Sequence, residues 1–121
     1  MELTALNRDF AICKLNVHAR VELTGEFVFF ARTDEEVSLV CESSQAPEDA
    51  IAVEREYKGL KICGELDFSL VGVIAGIARA LTEENIPVFA VSTFQTDYFF
   101  IKAERFERAC AVLRGRGYGV G

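Results

Sequence analysis

LDFSLVGVIAGIARALTEENIPVFAVSTFQTDYFFIKA, from Leu66 to Ala103, decides the fold of this chain. It reads as the end of a strand, a glycine-bearing loop, a helix, a strand, a tight connection and a further strand. The strand begins upstream. Leu60, Ile62, Gly64, Leu66 and Phe68 alternate with Lys61, Cys63, Glu65 and Asp67, the period of a strand with one buried face. The loop Asp67 to Gly72 then opens a helix whose apolar residues Ile74, Ile77, Ala78 and Leu81 recur at i, i+3, i+4 and i+7. Gly76 lowers the intrinsic propensity of this helix and points to close packing on the sheet. Asn85 supplies a left-handed stop, and Pro87 cannot continue the helix. Val88 to Thr93 and Asp97 to Lys102 read as two strands. The short connection between them makes an antiparallel pair.

Downstream, Phe106, Ala109, Cys110 and Leu113 repeat the helical spacing, Gly115 and Gly117 end the helix, and Tyr118 to Val120 reads as a last short strand. Residues 60–121 therefore follow the order βαββαβ, the ferredoxin-like arrangement of an α+β fold. Upstream the signals are sparser. Phe10 to Leu15, Phe27 to Ala31 and Val37 to Cys41 read as strands, and Asn16 to Glu26 is polar and irregular. Thr33 and Glu36 have capping-box spacing, which predicts a single helical turn. Pro47 and the acidic pair after it suit the start of a short helix, and Ala50 to Tyr57 reads equally as helix or strand. Between Leu15 and Phe27 there is no room for a full helix. The expected organisation is a shortened first half, residues 1–57, and a complete βαββαβ domain, residues 58–121.

Composition narrows the function. The chain has 121 residues, half of them hydrophobic, enough for one compact core or two small half-domains sharing one. The net charge is −6 and the isoelectric point near 4.8, which argues against nucleic acid or an anionic membrane surface as partner. Arg105, Arg108, Arg114 and Arg116 alternate with Glu104 and Glu107 as on a solvated helix face. The opening MELTALNRDF has no basic segment followed by an apolar run, so no secretory leader is expected. The longest apolar run, Leu70 to Ala78, is too short to span a bilayer. A cytoplasmic location follows as the expectation. Cys13, Cys41, Cys63 and Cys110 lack metal-ligand spacing, and their apolar neighbours favour buried thiols over two disulfides. The lone His18 has no partner for nucleophilic or metal chemistry, and the glycines spell neither a P-loop nor a dinucleotide fingerprint. No enzymatic activity, metal or cofactor is expected.

Phe68 to Ile74, Ile86 to Thr93 and Gln95-Thr96-Asp97-Tyr98 resemble the ACT domain, as found in small bacterial tandem-ACT proteins similar to the aspartate kinase regulatory domain and to the arginine-sensor ACT family. Thr33 to Cys41 resembles a segment of the first half of such proteins. The likeness runs from Phe10 onward, and the Ser-Thr-x-x-Thr-Asp-Tyr run is its most specific part. Where many members carry proline before the loop glycine, this chain has Val71. The resemblance implies a degenerate ACT-like N-terminal half before the full ACT domain. It also implies an amino-acid-binding regulatory module, with ligand held where ACT units meet, a homo-oligomer and a regulated partner protein.

A free amino acid needs donors for its carboxylate and an acceptor for its ammonium. The helix start Ser69, Val71, Gly72, Val73 and Ile74 offers unpaired backbone N–H groups, and glycine lets a backbone approach closely. It serves equally as a strand-to-helix turn that needs glycine for its geometry. Asp97 is the candidate ammonium partner, or else a turn aspartate bonded to its own backbone. Ser92 and Thr93 either contact the ligand or satisfy the hairpin, and Thr96 is a further ligand candidate beside them. Two functions stand against each other: an amino-acid sensor, and a structural dimerisation module that has lost its ligand. The polar run Ser92 to Asp97 favours the first, Val71 and the shortened first half the second.

Overall fold

The computed structural model describes residues 1–64 and 71–121. Leu66, Asp67, Phe68, Ser69 and Leu70, and with them the expected continuation of the strand to Phe68, lie outside the described residues. The chain divides into two compact units, one of Arg8–Tyr57 and one of Met1–Asn7 with Lys58–Gly121. Two long strands, β1 (Glu2–Leu15) and β4 (Ala52–Ile62), give residues to each.

The unit containing Lys58–Gly121 holds both helices, α1 (Val73–Thr82) and α2 (Ala103–Gly115), with strands β5 (Phe89–Ser92), β6 (Asp97–Lys102) and β7 (Gly119–Val120). Its strands lie in the order β5-β6-β4-β1-β7. The start of β1 is inserted between β4 and β7, which a plain βαββαβ sheet would pair directly. It runs parallel to β7, with Glu2 opposite Gly119 and Leu3 opposite Val120. The Ala5 amide donates to Gly121 O at 2.7 Å, and on the other side the Cys63 amide donates to Glu2 O at 2.9 Å. The insertion is favourable because Leu3 and Ala5 lie two apart on one strand face and join the core of Leu60, Ile62, Ile77, Leu81, Phe99, Ile101 and Leu113.

The α1 stripe keeps the expected Ile77 and Leu81 and takes Val73 and Ala80 in place of Ile74 and Ala78. Val73, Ile77, Ala80 and Leu81 face the core, whereas Ile74 is 38% exposed. Val73 and Ile74 stand four and three residues before Ile77, so both suit a helical stripe, and packing selects Val73. The close neighbour of Gly76 is not the expected sheet but the Tyr118 hydroxyl, 2.9 Å from where a Cβ would stand, just before β7. Both helices end in the same motif. Asn85, at φ +58°, precedes a bond from the Ile86 amide to Leu81 O at 3.0 Å. After α2, the Tyr118 amide donates to Leu113 O at 3.0 Å. Each is the six-to-one closure of a Schellman cap.

The other unit contains β1 from Arg8 onward, β2 (Phe29–Arg32), β3 (Val37–Glu42) and β4 up to Tyr57. Its strands lie in the order β2-β3-β1-β4, the order of a ferredoxin-like sheet. Among its described residues there is no α-helix. Residues 16–28 and 43–51 stand where helices would be, and the latter include a 3-10 turn, Ser43–Gln45. The core of Ala11, Cys13, Leu15, Val37, Leu39 and Cys41 is covered by Ala19, Val21, Val28, Ala46 and Ala50 from these segments. Arg32 pins the first by donating to Val17 O at 2.9 Å, and Arg55 pins the second by donating to Ser43 O at 3.1 Å.

Several local expectations change here. The strand expected from Phe10 begins at Glu2, and Ala50 to Tyr57 resolves as strand from Ala52. Thr33 to Glu36 is a hairpin turn between β2 and β3, not a helical turn, because Thr33 and Glu36 exchange bonds across it. Pro47 starts only a turn, closed by the Ala50 amide on Pro47 O at 3.2 Å.

Candidate functional site

Ser92, Thr93, Thr96 and Asp97 form the β5–β6 hairpin end. Ser92 and Asp97 are cross-strand partners. The Thr93 amide donates to Thr96 O at 2.9 Å, the Thr93 hydroxyl donates to the same oxygen at 3.1 Å, and the Thr96 amide donates back to Thr93 Oγ1 at 3.4 Å. The β2–β3 turn repeats this pattern sixty residues earlier. Thr33 amide and hydroxyl both reach Glu36 O, at 2.9 and 3.4 Å, and the Glu36 amide reaches Thr33 Oγ1 at 3.1 Å. The flanking strands keep the same sixty-residue offset, and β3 and β6 share one burial pattern. Thr33 was legible in sequence only as a helix cap, because the capping and hairpin uses of a threonine hydroxyl have the same three-residue reach.

Thr96 is 4% exposed, and its hydroxyl donates to Ile62 O at 2.9 Å. Asp97 is 8% exposed and is the first residue of β6, so it is not an open-loop carboxylate. The role of Ile62 O could not be read from sequence, since any residue has a carbonyl.

The second group sits at the start of α1. Gly72 is the N-cap at φ +81°, a left-handed conformation that glycine adopts without strain. It has no side-chain cap bond, and the first turn holds no acidic residue. The first intrahelical bond runs from the Gly76 amide to Gly72 O at 2.8 Å, so the amides of Val73, Ile74 and Ala75 precede the ladder. Val71 is 91% exposed, Ile74 is exposed, and Val73 packs inward. Ser69 lies outside the described residues.

The Thr96–Ile62 bond anchors the hairpin end to β4. Ile62 is the last residue of β4, from which the chain leads to α1, so the hairpin end is tied to the strand end that precedes the helix start. No hydrogen bond joins the two groups directly among the described residues. Taken separately, the helix start offers backbone donors with a favourable helix dipole, and the hairpin end offers the Asp97 carboxylate.

Cys13, Cys41 and Cys110 are buried free thiols as expected. Cys63 departs from that expectation. It is exposed because it follows the last buried position of β4, with its Sγ 2.8 Å from Thr4 Oγ1. Burial pushes the Cys41 thiol up to about 12 from its ordinary 9.0, with the neighbouring Cys13 adding to it. Burial also raises Cys13 and Cys110. Among the described residues no group of three or more His, Cys, Asp or Glu is placed to hold a metal ion. No helix among them is long and apolar enough to cross a membrane.

The ACT domain family model matches residues 52–115. No protein of curated function matches the chain. Its structure is similar to the crystal structure of an Agobacterium tumefaciens protein, at 27% identity and a TM-score of 0.90, covering 99% of this chain and 91% of that one. A Vibrio cholerae protein of unknown function, described as a possible transport protein, aligns at 18% identity and a TM-score of 0.69, over 94% of this chain and 88% of that one. The Clostridium acetobutylicum aspartate kinase, described as an allosteric enzyme, aligns at 14% identity and a TM-score of 0.68. That likeness covers 93% of this chain but 34% of the kinase. At these identities the last two establish a shared fold alone.

Proposed function

The chain belongs to the ACT domain family, and we propose that it is a regulatory module that binds a free amino acid without catalysis of its own. The ligand sits at the start of α1 and the β5–β6 hairpin end, its carboxylate on the amides of Val73 and Ile74 beside Gly72 and its ammonium on Asp97. Ser69, Val71, Ser92, Thr93 and Thr96 complete the site. The observation that carries this is the Thr96–Ile62 bond, which ties the hairpin end to the strand that leads into the helix start. The allosteric kinase among the structural neighbours supports a regulatory role.

The unit Arg8–Tyr57 is a shortened ACT-like half. Its ferredoxin-like strand order and the hairpin shared with β5–β6 support that assignment. The module works in the cytoplasm as a homo-oligomer and passes its ligand state to a partner protein. One observation favours the second reading, a structural dimerisation module without ligand: the hydroxyls of Thr93 and Thr96 already donate to backbone carbonyls.

A thermal-shift screen against the standard amino acids decides between them. A ligand that binds only the folded chain stabilises it by RT ln(1 + [L]/Kd), about 2.7 kcal/mol at a hundredfold excess over Kd. A raised melting temperature with one amino acid or one chemical group of them supports the sensor. No shift with any of them at about 10 mM, where even millimolar affinity is visible, leaves the structural module.

A further inference from the structure

Two of the buried thiols stand side by side. β1 pairs β3 with Ala11 opposite Cys41 and Cys13 opposite Leu39, so Cys13 and Cys41 are diagonal neighbours on one sheet face. Both are free and lie in the core of the Arg8–Tyr57 unit, 1% and 2% exposed. Their side chains are in hydrogen-bonding contact with each other. The rest of that core is apolar: Ala11, Leu15, Val37 and Leu39. Cys41 also lines a pocket of about 260 Å³, whose walls include Val28, Leu39 and Pro47. Sequence spacing hides the pair, because only strand pairing brings it together.

We propose that Cys13 and Cys41 together bind one soft monovalent metal ion, Cu(I), in linear two-sulfur coordination. Ligand type comes first. The pair offers sulfur alone, and sulfur selects soft ions over Mg²⁺ and Ca²⁺. Among the described residues no group of three or more His, Cys, Asp or Glu is placed to hold a metal ion, so tetrahedral Zn²⁺ and iron–sulfur clusters lack their remaining ligands. A closed-shell monovalent ion is satisfied by two thiolates. Register comes second. Diagonal neighbours on antiparallel strands stand roughly 7–8 Å apart, at or beyond the reach of a disulfide. An ion between the sulfurs lengthens the bridge and suits that separation. Charge comes third. Burial raises both thiols, so neither ionises unaided near neutral pH, and the ion must displace both protons to water. No electron is transferred. Two thiolates around one monovalent ion leave a single negative charge. Arg55 of β4, the strand beside β1, is within electrostatic reach of both sulfurs and offsets it. The pocket supplies the entry path to Cys41. The pair shares no residue with the site of the proposed function.

The test uses the full chain without oxygen, carrying Cys63→Ala to remove the exposed thiol. Cu(I) is supplied as its coloured bicinchoninate complex, whose absorbance falls as the chain takes the ion. Uptake of one ion per chain is expected, with X-ray absorption showing two sulfur neighbours and neither nitrogen nor oxygen. The amide resonances of Ala11, Cys13, Leu39 and Cys41 should shift, and that of Cys110 should not. Adding Cys13→Ala or Cys41→Ala should lower the affinity about a hundredfold or more, whereas adding Cys110→Ala should leave it unchanged. Uptake that survives Cys13→Ala or Cys41→Ala undiminished would overturn the inference. Nitrogen or oxygen neighbours, shifts centred on Cys110, or no uptake from the chelator would overturn it as well. If an alanine variant at Cys13 or Cys41 does not fold, the coordination and the amide shifts of the Cys63→Ala chain decide alone.

Discussion

Thr96 is a ligand candidate whose hydroxyl already has a structural task. Replacing it with valine keeps the shape, removes the donor to Ile62 O and leaves a carbonyl without it. Thr96→Val is therefore expected to lose about 1–3 kcal/mol in urea melts. A change below a few tenths would show that this bond contributes little. Asp97 is expected to separate affinity from stability. Asp97→Asn keeps the volume and a hydrogen-bonding oxygen but removes the charge, so a bound ammonium should lose about 10- to 100-fold in affinity by calorimetric titration. Asp97→Ala lowers affinity in the same way and also the melting temperature, since the residue is buried. Equal ligand affinity in wild type and both variants would remove Asp97 from the site. The cysteines give a pH dependence. The folded chain holds the Cys41 proton up to about 12 against an ordinary 9.0. The stability this represents is complete below pH 9 and lost as pH rises from there towards 12. In the native state a thiol reagent near neutral pH should label Cys63 first, with Cys13, Cys41 and Cys110 following only on unfolding.

At the scale of elements, α1 depends on how its first turn is entered. Gly72 stands at φ +81° with nothing within 4 Å of the point where a Cβ would stand, so Gly72→Ala meets backbone strain and no clash. A loss of about 1–2 kcal/mol in thermal melts is expected, with the helix content of the native state unchanged. Retained stability would mean that the turn relaxes out of the left-handed region. Much of this architecture was legible. The βαββ core and its hairpin came from periodicities of 3.6 and 2 and from the breakers Asn85 and Pro87. What escaped was β1. Leu3 and Ala5 belong to one core and Ala11, Cys13 and Leu15 to another, while the even positions Leu6 and Phe10 are also buried. A strand with apolar residues on both faces shows no clean alternation, so only its end, Phe10 to Leu15, read as a strand. The residues that line the pocket of the Arg8–Tyr57 unit were equally hidden. Arg20, Glu22 and Gln45 sit in irregular chain, where no period ties them together and only the fold brings them to one space. The hairpin position of Ser92 to Asp97 was legible because a hairpin end keeps sequence neighbours together.

For the molecule as a whole, the remaining question is what covers its open strands. β5 pairs only with β6, and β2 pairs only with β3, among the described residues. Both are four residues long, and each carries a partly exposed phenylalanine, Phe89 and Phe30. An edge strand offers a row of unpaired N–H and C=O groups that a second copy can complete. The net charge of −6 keeps copies apart in solution without preventing a specific pairing. Strand-to-strand addition is therefore the expected route to the proposed homo-oligomer. Light scattering at about tens of micromolar, where a micromolar interface is mostly occupied, should give at least twice the chain mass of 13.4 kDa. A charge placed on the edge used should return it to one copy. Ala90→Lys tests β5 and Ala31→Lys tests β2, both at exposed positions where lysine leaves the fold intact. Recovery of the monomer in one variant and not the other names the edge. A wild-type chain that stays monomeric across this range would mean that shortness alone protects both edges, and the homo-oligomer would fall with it.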